Sequence, residues 1–352
     1  MNRAGAAVAT RSDYAVLKER VRQAGLLAKR PGYSVQVIAR NLTLLAGCCA
    51  ALALFHNPWI QAATAVALGI VSGQLGFQLH DAGHNQMFHP RWKNTLVAFL
   101  TADVMLGISY GWWVQKHNRH HANPNHLDHD PDVNMRSIAY TPHQAESRKG
   151  LLRMIVRYQA FLFFPLICFM AWSMHLAGAR FLVTQRPRHR WLEITTLVLH
   201  WLVYVGLLGF FLGPWSALLV ILIHKAVGGF YMASVFAPNH KGMLQVDGDS
   251  ELDFLRAQVL TARNVRGGLL TDLWFGALNY QVEHHLFPTM ARTAMARTSG
   301  IVREFCAEIG VPYYETSTLR SYKELLVFLH EVGAPLRGRP LPAPAGSAGP
   351  VR

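Results

Sequence analysis

Acidic side chains are scarce in this sequence. Its 352 residues carry 34 Lys and Arg against 20 Asp and Glu, a formal net charge of +14. Only 15% of the chain is charged and 51% is hydrophobic. A basic balance can signal nucleic acid. Here the cations flank apolar stretches instead of forming one patch, which is the pattern of cytoplasmic loops between membrane segments. No nucleic-acid partner is expected. Cysteine is scarce too. Cys48, Cys49, Cys168 and Cys306 have neither metal-site spacing nor a disulfide framework, and three lie in apolar stretches where a thiol packs as a small hydrophobe. There is no internal repeat. The first 30 residues are polar and basic, which excludes an evident cleavable signal peptide.

What the chain has in abundance is long apolar runs. Four are expected to span a membrane, over about 35–55, 59–79, 194–212 and 215–236. At 1.5 Å per residue each covers a hydrocarbon core of about 30 Å. His56-Asn57-Pro58 and Gly213-Pro214 turn them into two hairpins. Two further apolar stretches, 95–113 and 157–177, lie between segments that read as cytoplasmic. One is the polar stretch 114–156. The other is the loop 178–193, with Arg180, Arg186, Arg188 and Arg190. Each stretch therefore starts and ends on one side, and is expected to be re-entrant or interfacial. Arg40, near the start of the first span, is expected to snorkel to the interface. Six full spans would scatter the histidine clusters across both faces. Residues 1–34 read as a basic amphipathic segment, with Asp13 to Lys29 a surface helix whose Lys18, Arg20, Arg22, Lys29 and Arg30 face water or headgroups. Residues 35–333 form the main domain, with a helical cytosolic cap. Residues 334–352, rich in Pro, Gly and Ala, are expected to be disordered. The fold class is all-α integral membrane.

Histidine is the other excess, at 18 residues. Three clusters stand out: His80-Asp81-Ala82-Gly83-His84, His117-Asn118-Arg119-His120-His121 and Gln281-Val282-Glu283-His284-His285. Positions i, i+3 and i+4 share a helix face, so each cluster puts nitrogen donors on one side of a helix. Imidazoles that converge at a membrane face have strong reason to do so when a metal replaces their lost solvation. The seven histidines are too many for one ion, which implies two. His240, at the end of the fourth span, is the candidate eighth ligand. The ten remaining histidines are read as ordinary polar residues. Imidazole suits zinc, copper, iron and nickel. Chemistry on an unactivated C–H bond would favour iron with oxygen.

These boxes resemble HxxxH, HxxHH and (H/Q)xxHH of the membrane fatty acid desaturase family. The stretches from Gly107 to Asp132 and Leu278 to Pro288, and Asn239-His240-Lys241-Gly242, carry the likeness further, over roughly residues 35–330. It is closest to bacterial acyl desaturases of the actinobacterial kind. A third box led by Gln also occurs in the front-end and sphingolipid branches. The resemblance implies a four-helix stem and a cytosolic cap holding two irons, ligated by His80, His84, His117, His120, His121, His240, His284 and His285. It implies O2 as co-substrate, and a cis double bond placed in a fatty acyl chain carried on CoA or a phospholipid. Asp81, Asn239, Asn279 and Gln281 are candidates to support the metals or a metal-bound water. Asp130, Asp132, Asp272 and Glu283 are candidates to orient ligands. Trp112, Trp113, Trp274, Phe275 and Tyr280 are candidate linings of an acyl tunnel. No His-Pro-Gly-Gly haem motif occurs, so a separate ferredoxin or b-type cytochrome with its reductase is expected as electron donor. A bacterial plasma membrane with a cytoplasmic site is the expected setting. A related di-iron hydroxylase or ketolase is the alternative enzyme, and a metal transporter or sensor the alternative of another class. Lys225, mid-span, has no assigned role.

Overall fold

The computed structural model describes residues 12–248 and 251–338. Within them the chain is helical apart from one parallel pair of two-residue strands, Asn264–Val265 (β1) and Glu315–Thr316 (β2). Asp13–Gln23 (α1) is capped by the Ser12 side chain. Pro31–Leu54 (α2) and Pro58–Gly83 (α3) form the first hairpin. The Asn57 side chain accepts from the free N–H groups of Trp59 and Ile60, which starts α3 directly after the turn. Arg91–Phe99 (α4) continues as a π-helical turn, Leu100–Leu106. Tyr110–Ala122 (α5) then leaves at 116° to that axis. The reversal occurs at Gly107, whose φ of 71° disfavours a side chain. The 95–113 stretch is thus a bent pair, and a ring nitrogen of His200 stands where a Gly107 Cβ would be, at 2.5 Å.

The other dip is organised differently from the expectation. Pro142–Glu146 (α6) and Gly150–Arg157 (α7) precede Gln159–Ile167 (α8), which is bent from α7 by 104°. The apolar run then breaks at Cys168 and Phe169, and Met170–Thr184 (α9) follows. Residues 157–177 are therefore two helices. Gly178 packs against Ser109, so α9 passes the expected loop boundary without a break. Arg180 lies on a helix, and only residues 185–189 remain as the loop.

Arg190–Leu212 (α10) and Pro214–His240 (α11) form the second hairpin around Gly213. The four expected spans coincide, but for Phe55, with parts of four helices long and apolar enough to cross a membrane. Helices α3 and α11 run past their apolar windows into polar last turns, which carry His80 and His240. The stem is closest-packed where α3 meets α11. Gly69 and Gly73 stand against Val227 and Tyr231, and a Cβ on Gly73 would lie 2.1 Å from the Tyr231 ring. Small residues are what allow two membrane helices to approach this closely. Gly73→Leu should cost about 3 kcal/mol by overpacking. Its measure is the loss of monodisperse protein on size-exclusion and a lowered thermal midpoint.

Two cations lie within the stem helices. Arg40, exposed on α2, donates to Gln74, 2.9 Å away, and to Asn41. Lys225 is buried with its ammonium over the rings of Trp201 and Tyr204, at 5.0 and 5.1 Å. Cation–π contact thus takes the place of a carboxylate partner.

Phe254–Leu260 (α12), Leu269–Phe275 (α13), Gln281–Leu286 (α14), Arg292–Glu308 (α15) and Thr318–Val332 (α16) build the cap. Helix α1 belongs to it. Leu17 and Val21 are fully buried among Leu255, Val259 and Phe305, and Arg20 bonds Glu308 with both guanidinium nitrogens at 2.7 Å. The expected surface helix thus packs its apolar stripe onto the cap and leaves Lys18 and Arg20 exposed. Leu336, within the expected disordered tail, is buried in a 3-10 turn, Ala334–Arg337. Residues 339–352 and the first eleven lie outside the described residues.

Candidate metal centre

All eight candidate histidines converge where the stem meets the cap. His80 and His84 end α3, and His240 ends α11. Helix α5 brings His117, His120 and His121, and α14 brings His284 and His285. They sort into two adjoining groups. The ligand nitrogens of His80, His84, His117, His121 and His284 lie within 4.8 Å of one another, and so do those of His120, His240 and His285. Helical spacing explains the split within boxes. His117 and His121 project one way from α5 while His120 is turned toward the second group. His284 and His285, about 100° apart on α14, likewise serve different groups.

The donor set fits cations. In the first group the Nε2 atoms follow one another closely: His80–His284 3.1 Å, His284–His121 3.0 Å, His121–His117 3.1 Å and His117–His84 2.8 Å. Two nitrogens bound to one ion at right angles, each at about 2.1 Å, lie about 3.0 Å apart. Burial, reinforced by neighbouring imidazoles, holds His84, His117, His121, His284 and His285 well below the ordinary histidine range. The rings are neutral, the form that ligates a metal. His285 Nε2 is buried with no hydrogen-bond partner, as are the Nδ1 atoms of His80, His121 and His284. The unmatched Nε2 of His285, which faces the second group, is costly unless an ion accepts it.

In the second group each Nδ1 is committed elsewhere, which leaves Nε2 as the ligand atom. His120 Nδ1 donates to Asp130 at 3.0 Å, His240 Nδ1 to the Thr261 carbonyl at 3.1 Å, and His285 Nδ1 to Gln258 at 2.8 Å. The Gln281 amide nitrogen lies 3.0 Å from His240 Nε2, and its oxygen accepts from Asn239. Gln281 thus stands beside the second group, with Asn239 holding it.

The fatty acid desaturase profile matches residues 57–317, which span all three boxes and His240. The chain belongs to the fatty acid desaturase family. It is 31% identical over 310 residues to an acyl-lipid (9-3)-desaturase of Physcomitrium patens, covering 85% of this chain and 58% of that protein. It is 31% identical to a Delta(5) fatty acid desaturase of Caenorhabditis elegans, covering 84% and 68%. It is 28% identical to a Delta 8-(E)-sphingolipid desaturase of Emericella nidulans, covering 78% and 54%. The chain therefore spans little more than half the length of the moss and fungal relatives. These relatives are a moss, a nematode and a fungal protein. The last is of the sphingolipid branch to which a Gln-led third box also points.

The remaining expectations for this desaturase-family chain divide by geometry. Asp81 stands behind His80, its Oδ1 3.7 Å from Nδ1, and its other oxygen is held by Arg292 at 2.5 Å. Asp130 orients His120 and also accepts from the Asn125 and Asp132 backbone. Burial raises the Asp132 pKa, but Lys116, His120 and Lys241 outweigh it and hold the carboxyl below its usual range. Asn279 turns its amide to Asp272 and the Val265 carbonyl. Glu283 departs from expectation. Its carboxyl points away to Asn264 and Tyr313, at 2.6 and 2.9 Å, and burial pushes its pKa up to about 7. Trp113 stacks on His117 at 4.7 Å, whereas Trp274 and Phe275 pack with Tyr231. Gln258, Thr261 and Arg292 escape sequence reading, since each is a lone polar residue without a motif. Among the lone histidines, His175 and His200 donate to the Gly107 and Val104 carbonyls, as ordinary polar residues do.

Asp130→Asn should lower metal affinity about 10- to 100-fold, since the carboxylate behind a ligating imidazole sets its orientation and basicity. Metal titration of the stripped protein checks this.

Proposed function

We propose that this protein is an O2-dependent acyl desaturase with two iron ions. The observation that carries the reading is the pair of adjoining all-nitrogen groups at the stem–cap boundary of a desaturase-family chain. His80, His84, His117, His121 and His284 would hold one ion, and His120, His240 and His285 the other, with Gln281 beside it. Iron bound there would supply the power to activate O2 against an unactivated methylene. The balance is one CH2–CH2 unit, O2, two electrons and two protons going to CH=CH and two waters. The electrons would come from a separate ferredoxin or b-type cytochrome acting at the cytoplasmic face, where basic side chains favour an acidic partner.

The chain's own residues do the positioning. Asp130, Thr261 and Gln258 lock three imidazoles in one tautomer each. Asp81 and Arg292 fix the last turn of α3. Burial excludes bulk water from the nitrogens, which protects an oxidant from wasteful reduction. The acyl chain, on CoA or a phospholipid, would reach the groups from the bilayer.

The test is expression in a host with an added electron donor, followed by location of double bonds in extracted lipids. New unsaturated chains that vanish with His284→Ala support the reading. A hydroxylated chain as the main product would move it to the related hydroxylases. Full activity with zinc alone would end it.

A further inference from the structure

The junction between cap helix α1 and span α2 encloses a cavity of about 470 Å³, lined by Lys29, Arg30, Tyr33, Thr293 and Arg297 among others. Three of its side chains are cationic and no Asp or Glu lines it. None of the three cations forms an ion pair among the described residues. The cavity therefore concentrates positive charge that no carboxylate among the described residues answers. The first turn of α2 adds to the field. It has no acidic residue and no side-chain cap, so the N–H groups that follow Pro31 carry the positive end of a 24-residue helix. The place is also specific. Pro31 opens a membrane span, so the cavity sits at headgroup level.

It is tied to the metal-binding groups as well. The Lys29 ammonium donates to the carbonyls of Asn85 and Thr289. Asn85 directly follows His84, and Thr289 lies four residues after His285. A headgroup held at the cavity is thereby held at a set distance from both histidine groups.

We infer that this cavity binds the phosphate of the acyl substrate's head, whether that phosphate belongs to a phospholipid or to a coenzyme A thioester. The inference rests on the desaturase reading for its substrate class. Phosphate suits the site because it takes several cationic donors at once. Anchoring the head would also set which methylenes reach the metals, so the site is a specificity device as well as a binding one.

The experiment uses the full chain in nanodiscs of uncharged glycolipid. Binding of stearoyl-CoA, stearoyl-lysophosphatidylcholine and methyl stearate is measured at equilibrium with radiolabelled probes. Wild type should hold at least one phosphate-bearing probe more tightly than methyl stearate, and added salt should weaken it. Arg30→Ala with Arg297→Ala should weaken that probe by about tenfold or more, leave methyl stearate unchanged, and be partly rescued by Lys at both positions. The probe that loses affinity identifies the source of the phosphate. Phosphate-bearing probes that bind no better than methyl stearate, or that bind the double variant like wild type, would overturn the inference. Binding is read without turnover. A chain that makes a hydroxylated product would thus cost the desaturase reading and leave the cavity assignment standing.

Discussion

His284→Ala is expected to remove one of two bound metals and at least about a thousandfold of the activity. The reason is position. His284 Nε2 lies between His80 and His121, at 3.1 and 3.0 Å, so it links the α3 ligands to the α5 ligands. Alanine leaves a nitrogen-poor gap that no neighbour fills, because the ring is almost fully buried and its side of α14 is packed. A thousandfold corresponds to about 4 kcal/mol of transition-state stabilisation, within what a bound redox metal supplies. His285→Ala should release the other ion, since its ring belongs to the second group. His129→Ala, on an exposed ring outside both groups, should change neither. Metal per chain by elemental analysis, read beside product yield, checks all three. Two ions retained in an active His284→Ala protein would contradict the grouping.

Stripping the metals with a chelator should lower the thermal midpoint by on the order of ten degrees. At a thousandfold excess of ion over its dissociation constant, each site adds about 4 kcal/mol, and a few degrees accompany each kcal/mol. The stripped protein should also become acid-sensitive. Burial holds the imidazoles of His84, His117, His121, His284 and His285 well below the ordinary value of 6.5. The unfolded chain therefore takes up protons that the folded site refuses. Stability should be flat above about pH 6.5 and fall as pH drops below it. Thermal scans of the metal-free protein between pH 5 and 8 read this slope directly. A stripped protein with an unchanged midpoint and no acid slope would show that the histidines do not bear on folding.

The stem was legible in the sequence because its signal is cumulative. About twenty apolar residues in a row outweigh any single polar one, and hairpin turns at Pro58 and Pro214 mark the ends. The dip at 157–177 was less legible. The break falls at Cys168 and Phe169, and α9 runs to Thr184. Composition measures how apolar a stretch is and not where it bends. For helix α1 the pattern leaves open what its apolar face meets. An amphipathic stripe says that one face is buried, and a lipid surface and the cap's Leu255 and Phe305 satisfy it equally.

The sequence by itself determined four helices long and apolar enough to cross a membrane, three histidine boxes and too many imidazoles for one ion. These follow from run length and from the i, i+3, i+4 spacing, which are local properties. Only the tertiary structure decided which nitrogens share a group. His120 parts from His117 and His121, and His285 from His284, because a helix turns about 100° per residue and faces two sides of a crowded junction. It also decided that His240 joins them, and that Gln258, Thr261, Asp130 and Arg292 hold the ligands and the last turn of α3. Those partners are up to 211 residues from the groups they hold. No local pattern records a pairing at that distance, because it exists only once the stem and cap have packed.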